Sequence, residues 1–435
     1  MTTKQIHDLV ETDSLNLYTH FLKKYDNGVL VSTPEKSDTN SLFVIDMQND
    51  FVLPNGRFSV ADGLKMAPEL AEFIKKCLND PTFTKVIFSR DTHDVNHCSF
   101  FTNDGPFPPH CVVNHKGADM HESMKQFGDE RHVIEKGWDK KIRVIFKGCD
   151  ENTDSFGAIQ YPEDNYSESR QLGKHCTLNT GKTGGRYFKG SENSFNYQTF
   201  RKAPFLTIAT CDSATSDTIG DANYYPNIKT CPNSKFSDEK QNKHLGKHFE
   251  LGDLVPRSSG KDQVHNIYVT GLAGDYCVKD TAMNIMRSLE TKPVPGYKIN
   301  VYVVHPFVRF AFLPLHLAGG TSQVYKGKNI SKNNDKNVFT ITEKGVKDVN
   351  KYIFKKDGDN ILPLKKEEVE KLKERVDAGE SVKDLNENFE YWAFLTPTKH
   401  ILEDYSKVGV KILTTVPETT GGARRRSRHK THKRK

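Results

Sequence analysis

Five short runs rich in β-branched and aromatic residues punctuate the chain: Leu42–Ile45, Val86–Phe88, Arg143–Phe146, Ile267–Thr270 and Ile299–Val304. Helical patterns lie between them at Leu64–Leu78, Met120–Phe127 and Val278–Leu289. Runs of this length read as strands buried on both faces. Their alternation with helices predicts an α/β fold with a mainly parallel central sheet. In such sheets ligands bind at the carboxyl ends of the strands, so the residues that follow each run are the first place to look for chemistry.

The pattern does not fill the chain. Of 435 residues only 35% are hydrophobic, which supports a core in part of the length. Residues 1–40 read as an N-terminal extension and 41–416 as the domain. Polar insertions are expected at about 161–263, with one strand at Phe205–Ala209, and at about 319–388, with a charged surface helix at Glu367–Val376. Residues 417–435 read as a basic, disordered tail. Its stretch Arg424–Lys435 holds eight Lys or Arg and no acid, so the net charge of +7 less this +8 leaves −1 on the remainder. The tail is a candidate for nonspecific nucleic-acid contact; the body is electrostatically ordinary. Eight cysteines without a C-x-x-C pair exclude a zinc ribbon and read as free thiols in a reducing compartment. No secretion signal or membrane-length apolar run is present, so the sequence reads as intracellular, cytoplasmic or nuclear.

Three of the strand ends carry reactive side chains. The fourth run breaks at Gly271-Leu272-Ala273-Gly274 and restarts as a helix at Cys277, which puts a thiol at a helix N-terminus, where a thiolate is favoured. The first ends in Val44-Ile45-Asp46-Met47-Gln48-Asn49-Asp50-Phe51, placing Asp46 at the rim with its pKa raised toward that of a usable base. The second ends in Ser89-Arg90-Asp91-Thr92-His93, with His97 following. Residues two apart in an extended segment face the same way, so Asp91 and His93 suit a divalent metal, with His110 available as a third ligand. Taken singly, a packed cysteine and a surface D-x-H are the commoner readings of two of these signals, and a loop-capping aspartate is as common as a base for the third.

Together these motifs resemble the nicotinamidases, also called pyrazinamidases, of the isochorismatase-like cysteine hydrolases. The resemblance is carried in order by Val44–Phe51, by Ser89–His93 with His97, Ser99 and Phe100, by Pro109-His110-Cys111-Val112, by Lys147-Gly148 with Asp154–Ile159, and by Val269–Val278. It covers about half the chain. It implies the three-layer α/β/α fold of that family, and a triad of Asp46, Lys147 and Cys277. It also implies an oxyanion hole from the N–H groups of Ala273 and Cys277, with a cis bond at Leu272-Ala273. The metal falls on Asp91, His93 and His110, with His97 at a position that ligates in some members. Lys136, also followed by Gly, competes for the lysine role, but only Lys147 has the Asp154–Ile159 stretch downstream. Phe51, Phe107 and Tyr276 match pocket-lining positions, Phe107 standing where the family usually has Trp.

The activity so implied is deamidation of nicotinamide to nicotinate and ammonia through a thioester, feeding NAD salvage. The implied cofactor is a divalent metal, with zinc the first choice and iron(II) or manganese(II) the alternatives. Two other readings stay open: another amide hydrolase of the same family, whose members of that kind lack the metal site, and a non-catalytic binding protein built on this core.

Overall fold

The structure, a computed structural model, describes residues 18–314 apart from 163–175, 177–179, 202–243, 257–262 and a few positions between 20 and 114. Beyond 314 it describes 353–357, 360–363, 367, 368, 371, 374, 391–394 and 398–419. The strand expected at Phe205–Ala209 and the basic stretch 424–435 lie outside the described residues. The helix expected at Glu367–Val376 is seen at Glu367, Glu368, Lys371 and Glu374, all helical and exposed.

In chain order the strands are β1 (Leu30–Val31), β2 (Thr39–Ile45), β3 (Phe83–Asp91), β4 (Ile142–Lys147), β5 (Arg186–Phe188), β6 (Leu245–His248), β7 (Gln263–Leu272), β8 (Tyr297–Arg309), β9 (Phe312–Pro314), β10 (Ile353–Asp357), β11 (Asn360–Pro363), β12 (Tyr391–Phe394) and β13 (Lys411–Leu413). The five runs read from the sequence are the cores of β2, β3, β4, β7 and β8. Nine strands form one sheet in the order β1-β13-β8-β7-β2-β3-β4-β5-β6. Every pairing from β1 to β4 is parallel, and β5 and β6 add antiparallel at the far edge. The remaining strands make a four-stranded antiparallel sheet, β11-β10-β12-β9.

Strand β2 is the middle of the large sheet, and Leu42, Phe43, Val44 and Ile45 are all fully buried. With no solvent face, such a strand is written as an apolar run rather than an alternation. Helix α1 (Gly63–Asn79) buries Met66, Ala67, Leu70, Ala71, Ile74, Cys77 and Leu78. Their three- and four-residue spacing makes one stripe, which packs on β3 and β8. Helix α2 (Cys277–Thr291) packs on β7 and β8, and α3 (Thr398–Val408) packs on α2. The last two are pinned by Lys279 Nζ on Asp404 Oδ2 at 2.5 Å.

The segments read as additions are built into this core. Within residues 1–40, Tyr18, Leu22 and Val29 are buried, and β1 pairs Leu30 and Val31 with Ile412 and Leu413. The first insertion supplies β5 and β6. It also covers the fully buried Arg90, whose Nη1 donates to the carbonyls of Thr199 (3.0 Å) and Phe200 (3.3 Å). No described helix is long and apolar enough to cross a membrane.

Two buried histidines give the fold an acid limit. Burial lowers His265 from 6.5 to about 4, and burial with the nearby Arg309 charge does the same for His305. The folded chain therefore binds fewer protons than the unfolded chain in that window, so stability is full above pH 6.5 and declines as the pH falls to about 4. Urea denaturation across the window should show this decline, flattened in a His265→Gln/His305→Gln double variant.

Candidate active site

Four consecutive strands in the middle of the sheet, β7, β2, β3 and β4, each deliver one reactive side chain at the carboxyl end. Asp91 and Lys147 are the last residues of β3 and β4 and stand opposite each other in register. Asp46 follows β2 with a positive φ of 48°, and Cys277 begins α2 just beyond β7. Strand β7 reaches β2 closely through Gly271, opposite Ile45; a Cβ at Gly271 would lie 2.1 Å from the Ile45 carbonyl oxygen, and its φ is +103°. The peptide after Leu272 is cis, as the resemblance implies.

Lys147 is the hub. Its Nζ lies 2.8 Å from Asp46 Oδ2, 3.0 Å from Asp91 Oδ1 and 3.4 Å from Cys277 Sγ. Burial alone would lower the ammonium's pKa, but Asp46 and Asp91 hold it well above the usual lysine value. Burial raises the Asp46 carboxyl despite Lys147. Burial would raise Asp91 as well, but the His93 and Lys147 charges hold it well below the usual range. The Cys277 thiol is pushed well up by burial, more than Lys147 pulls it down. The helix N-terminus favours a thiolate, but enclosure beside two carboxylates opposes it, and the raised Asp46 carboxyl stands beside the sulfur. Lys136, the competing lysine, is exposed at the end of a short helix.

Asp91, His93 and His110 form a second cluster whose ligand atoms all lie within 4.8 Å of one another. His93 Nδ1 faces the Gly148 carbonyl at 2.8 Å, which assigns the ring proton to Nδ1. Its Nε2 lies 2.9 Å from Asp91 Oδ2, a neighbour that raises the pKa of the ring, and His110 Nε2 is 3.4 Å from the same oxygen. One carboxylate oxygen and two imidazole nitrogens converging in this way are a donor set that fits a divalent ion, which would take the place of the proton on Nε2. Gly148 is required for the arrangement, since it has φ +65° and a Cβ there would come 2.5 Å from His93 Cε1. His97 stands apart. Its Nδ1 pairs with Ser99 Oγ at 2.7 Å and its Nε2 faces the Thr153 carbonyl at 3.3 Å, while its ring packs 4.2 Å from that of His93.

The two clusters open into one narrow cleft lined by Phe51, Phe107 and Tyr276, together with Ala273 and Cys277. Phe107 and Tyr276 meet edge to face at 5.6 Å. The structure adds Phe58, Ser99, Asp154 and Phe156 to the wall. Asp154 and Phe156 lie in the motif that singled out Lys147 and could have been read from it. Phe58 follows a turn and carries no sequence signal. The oxyanion hole expected at Ala273 and Cys277 falls at this wall, where the first turn of α2 leaves N–H groups without helical acceptors.

The reading of the cysteines as free thiols needs correction. Cys98 and Cys176 form a disulfide that ties the His97–Phe100 loop to the first insertion, across 78 residues of sequence. Nothing in their spacing announces the pair, because it is tertiary folding that brings the insertion to the loop. Cys77, Cys111, Cys149 and Cys277 are free and buried.

Removing the hub tests its structural weight. Lys147→Ala leaves Asp46 and Asp91 buried without their shared cation and should cost about 3–5 kcal/mol. Lys136→Ala should stay within about 0.5 kcal/mol, as surface substitutions do. Urea denaturation of both variants checks this.

Comparison with known proteins finds partial matches. Residues 40–141 match the isochorismatase domain. That stretch contains Asp46, Asp91, His93, His97 and His110; Lys147 and Cys277 lie beyond it. The chain is 28% identical over 116 residues to the nicotinamidase/pyrazinamidase of Mycobacterium tuberculosis, covering 26% of this chain and 59% of that protein. It is 26% identical over 126 residues to the nicotinamidase of Acinetobacter baylyi, covering 25% and 54%. The chain thus spans little more than half the length of the curated relatives it matches. Among solved structures, PnC1 from L. infantum in complex with nicotinate aligns at a TM-score of 0.32 with 21% identity, over 65% of this chain and 85% of that one. Within this α/β chain, residues 40–141 are thus similar to the isochorismatase domain, and the matched part is similar to the nicotinamidases.

Proposed function

We propose that the protein is a metal-assisted cysteine amidohydrolase that deamidates nicotinamide to nicotinate and ammonia, feeding NAD salvage. The observation that carries this reading is the Lys147 ammonium, within 3.4 Å of a thiol, a raised carboxylate and the Asp91 carboxylate of a metal-type cluster, the thiol and Asp91 lining one aromatic cleft. A flat heteroaromatic ring suits walls made of Phe51, Phe107 and Tyr276. Asp91, His93 and His110 would hold the divalent ion, zinc by first choice. When bound, such an ion supplies a Lewis-acid contact for a pyridine nitrogen and so orients the ring.

In this mechanism Asp46 takes the proton of Cys277 as the sulfur attacks the carboxamide carbon, and Lys147 balances the charge. The N–H groups of Ala273 and Cys277 receive the oxyanion. As the C–N bond breaks, Asp46 passes its proton to the departing ammonia and leaves a thioester on Cys277. Water then cleaves the thioester and frees nicotinate.

Cys277→Ala should abolish ammonia release from nicotinamide while leaving ring binding, measured by calorimetry, largely in place. Asp46→Asn should be nearly as inactive, and the double variant no worse, because residues that act as a unit do not lose activity additively. A Cys277→Ala protein with appreciable turnover would refute the thioester route. His93→Ala and His110→Ala should each lower the bound divalent metal, read by elemental analysis, and raise the KM. Unchanged metal content in both would place the ion elsewhere.

A further inference from the structure

We propose that Asp154 is the base that activates the water attacking the thioester; this rests on the deamidase reading above. The argument is an inventory of carboxylate oxygens. Asp46 is fully buried, does not line the cleft, and has its oxygens engaged by Ser89 Oγ (2.7 Å) and Lys147 Nζ (2.8 Å). Asp91 does line the cleft, but Oδ1 is on Lys147 and Oδ2 faces His93 and His110. Asp154, only 3% exposed, lines the same cleft as Cys277. Its Oδ1 accepts the Ser155 N–H at 2.8 Å, and its Oδ2 has no hydrogen-bond partner among the described residues.

A buried carboxylate oxygen without a donor is costly, so its place in a binding cleft points to a donor that arrives with the reaction. The neighbouring backbone is held firmly enough to aim it. The Thr153 carbonyl faces His97 Nε2 at 3.3 Å, and Ser155 Oγ accepts the Gly184 N–H at 2.7 Å. Asp154 is not a member of the metal-type cluster. Once ammonia has left, a water entering the cleft meets the open oxygen of Asp154, whereas the oxygens of Asp46 are engaged by Ser89 and Lys147.

The step balances. Asp154 Oδ2 takes one proton as the water oxygen bonds to the thioester carbon. The tetrahedral species collapses with cleavage of the C–S bond, and the sulfur leaves as a thiolate beside Lys147. The proton held by Asp154 returns to the sulfur as the acid product departs, restoring the resting thiol.

The test is pre-steady-state ammonia release from nicotinamide by the full chain carrying Asp154→Asn, with its metal content measured on the same sample. The variant should release a burst of ammonia equal to the enzyme and then turn over at least about 100-fold more slowly than wild type, the usual loss for a missing general base. Intact mass should show a nicotinoyl group on Cys277. Hydroxylamine, which attacks a thioester without a base, should restore turnover as hydroxamate. Asp154→Ser repeats these readouts should the first variant fold poorly. An unchanged steady state overturns the proposal, as does loss of the burst together with turnover at unchanged metal content, or no rescue by hydroxylamine. Wild-type protein that releases no ammonia sinks the deamidase reading itself, a result distinct from any of these.

Discussion

Lys147 carries one positive charge into a place from which water is excluded, and the arrangement of the site follows from what that charge needs. An ammonium is tolerated at full burial only where carboxylates surround it, and here Asp46 and Asp91 do so at 2.8 and 3.0 Å. The same charge stands 3.4 Å from Cys277 Sγ, so the thiol, the Asp46 carboxyl and the first residue of the metal-type cluster share one counter-ion. Nothing at this hub could be moved independently. A shift of β3 relative to β4 would separate Asp91 from Lys147, and a shift of β7 relative to β2 would take Cys277 away from Asp46.

The sheet is what forbids those shifts. Four adjacent parallel strands in fixed register end at the same level, each presenting one group, and the hydrogen bonds of the ladder set the spacing. Gly271 and Gly148 mark where backbone must come closest, the first against Ile45 and the second against the His93 ring. Around this rigid floor the cleft is walled by rings whose contacts are mostly edge to face or tilted, as between Phe156 and Tyr276 at 5.3 Å. Such packing suits aromatic quadrupoles and leaves a slot for another flat ring.

The insertions belong to the same construction. Thr199 and Phe200 accept from Nη1 of the buried Arg90 next to Asp91, and the Cys98–Cys176 disulfide fixes the loop that supplies His97 and Ser99. A segment that looks polar and dispensable in sequence can thus be structural, because a few of its backbone carbonyls and one sulfur do the anchoring.

The sequence by itself determined the α/β class, the strands β2, β3, β4, β7 and β8, and the residues that follow them, because burial on both faces writes a strand as an apolar run and what comes after it must lie at the rim. The strand-end motifs also named Asp46, Asp91, His93, His110 and Cys277 without any coordinates. Only the tertiary structure placed Lys147, and not Lys136, beside Asp46 and Cys277, and set the burial that raises the Cys277 thiol, the Cys98–Cys176 bond, the ring of Phe58 and the open oxygen of Asp154. These depend on which atoms meet across long separations and how much water is left between them, quantities that local pattern does not encode. The edge strands β1 and β13 were hidden for the same reason: two- and three-residue strands carry no periodicity, and the sheet alone recruits them.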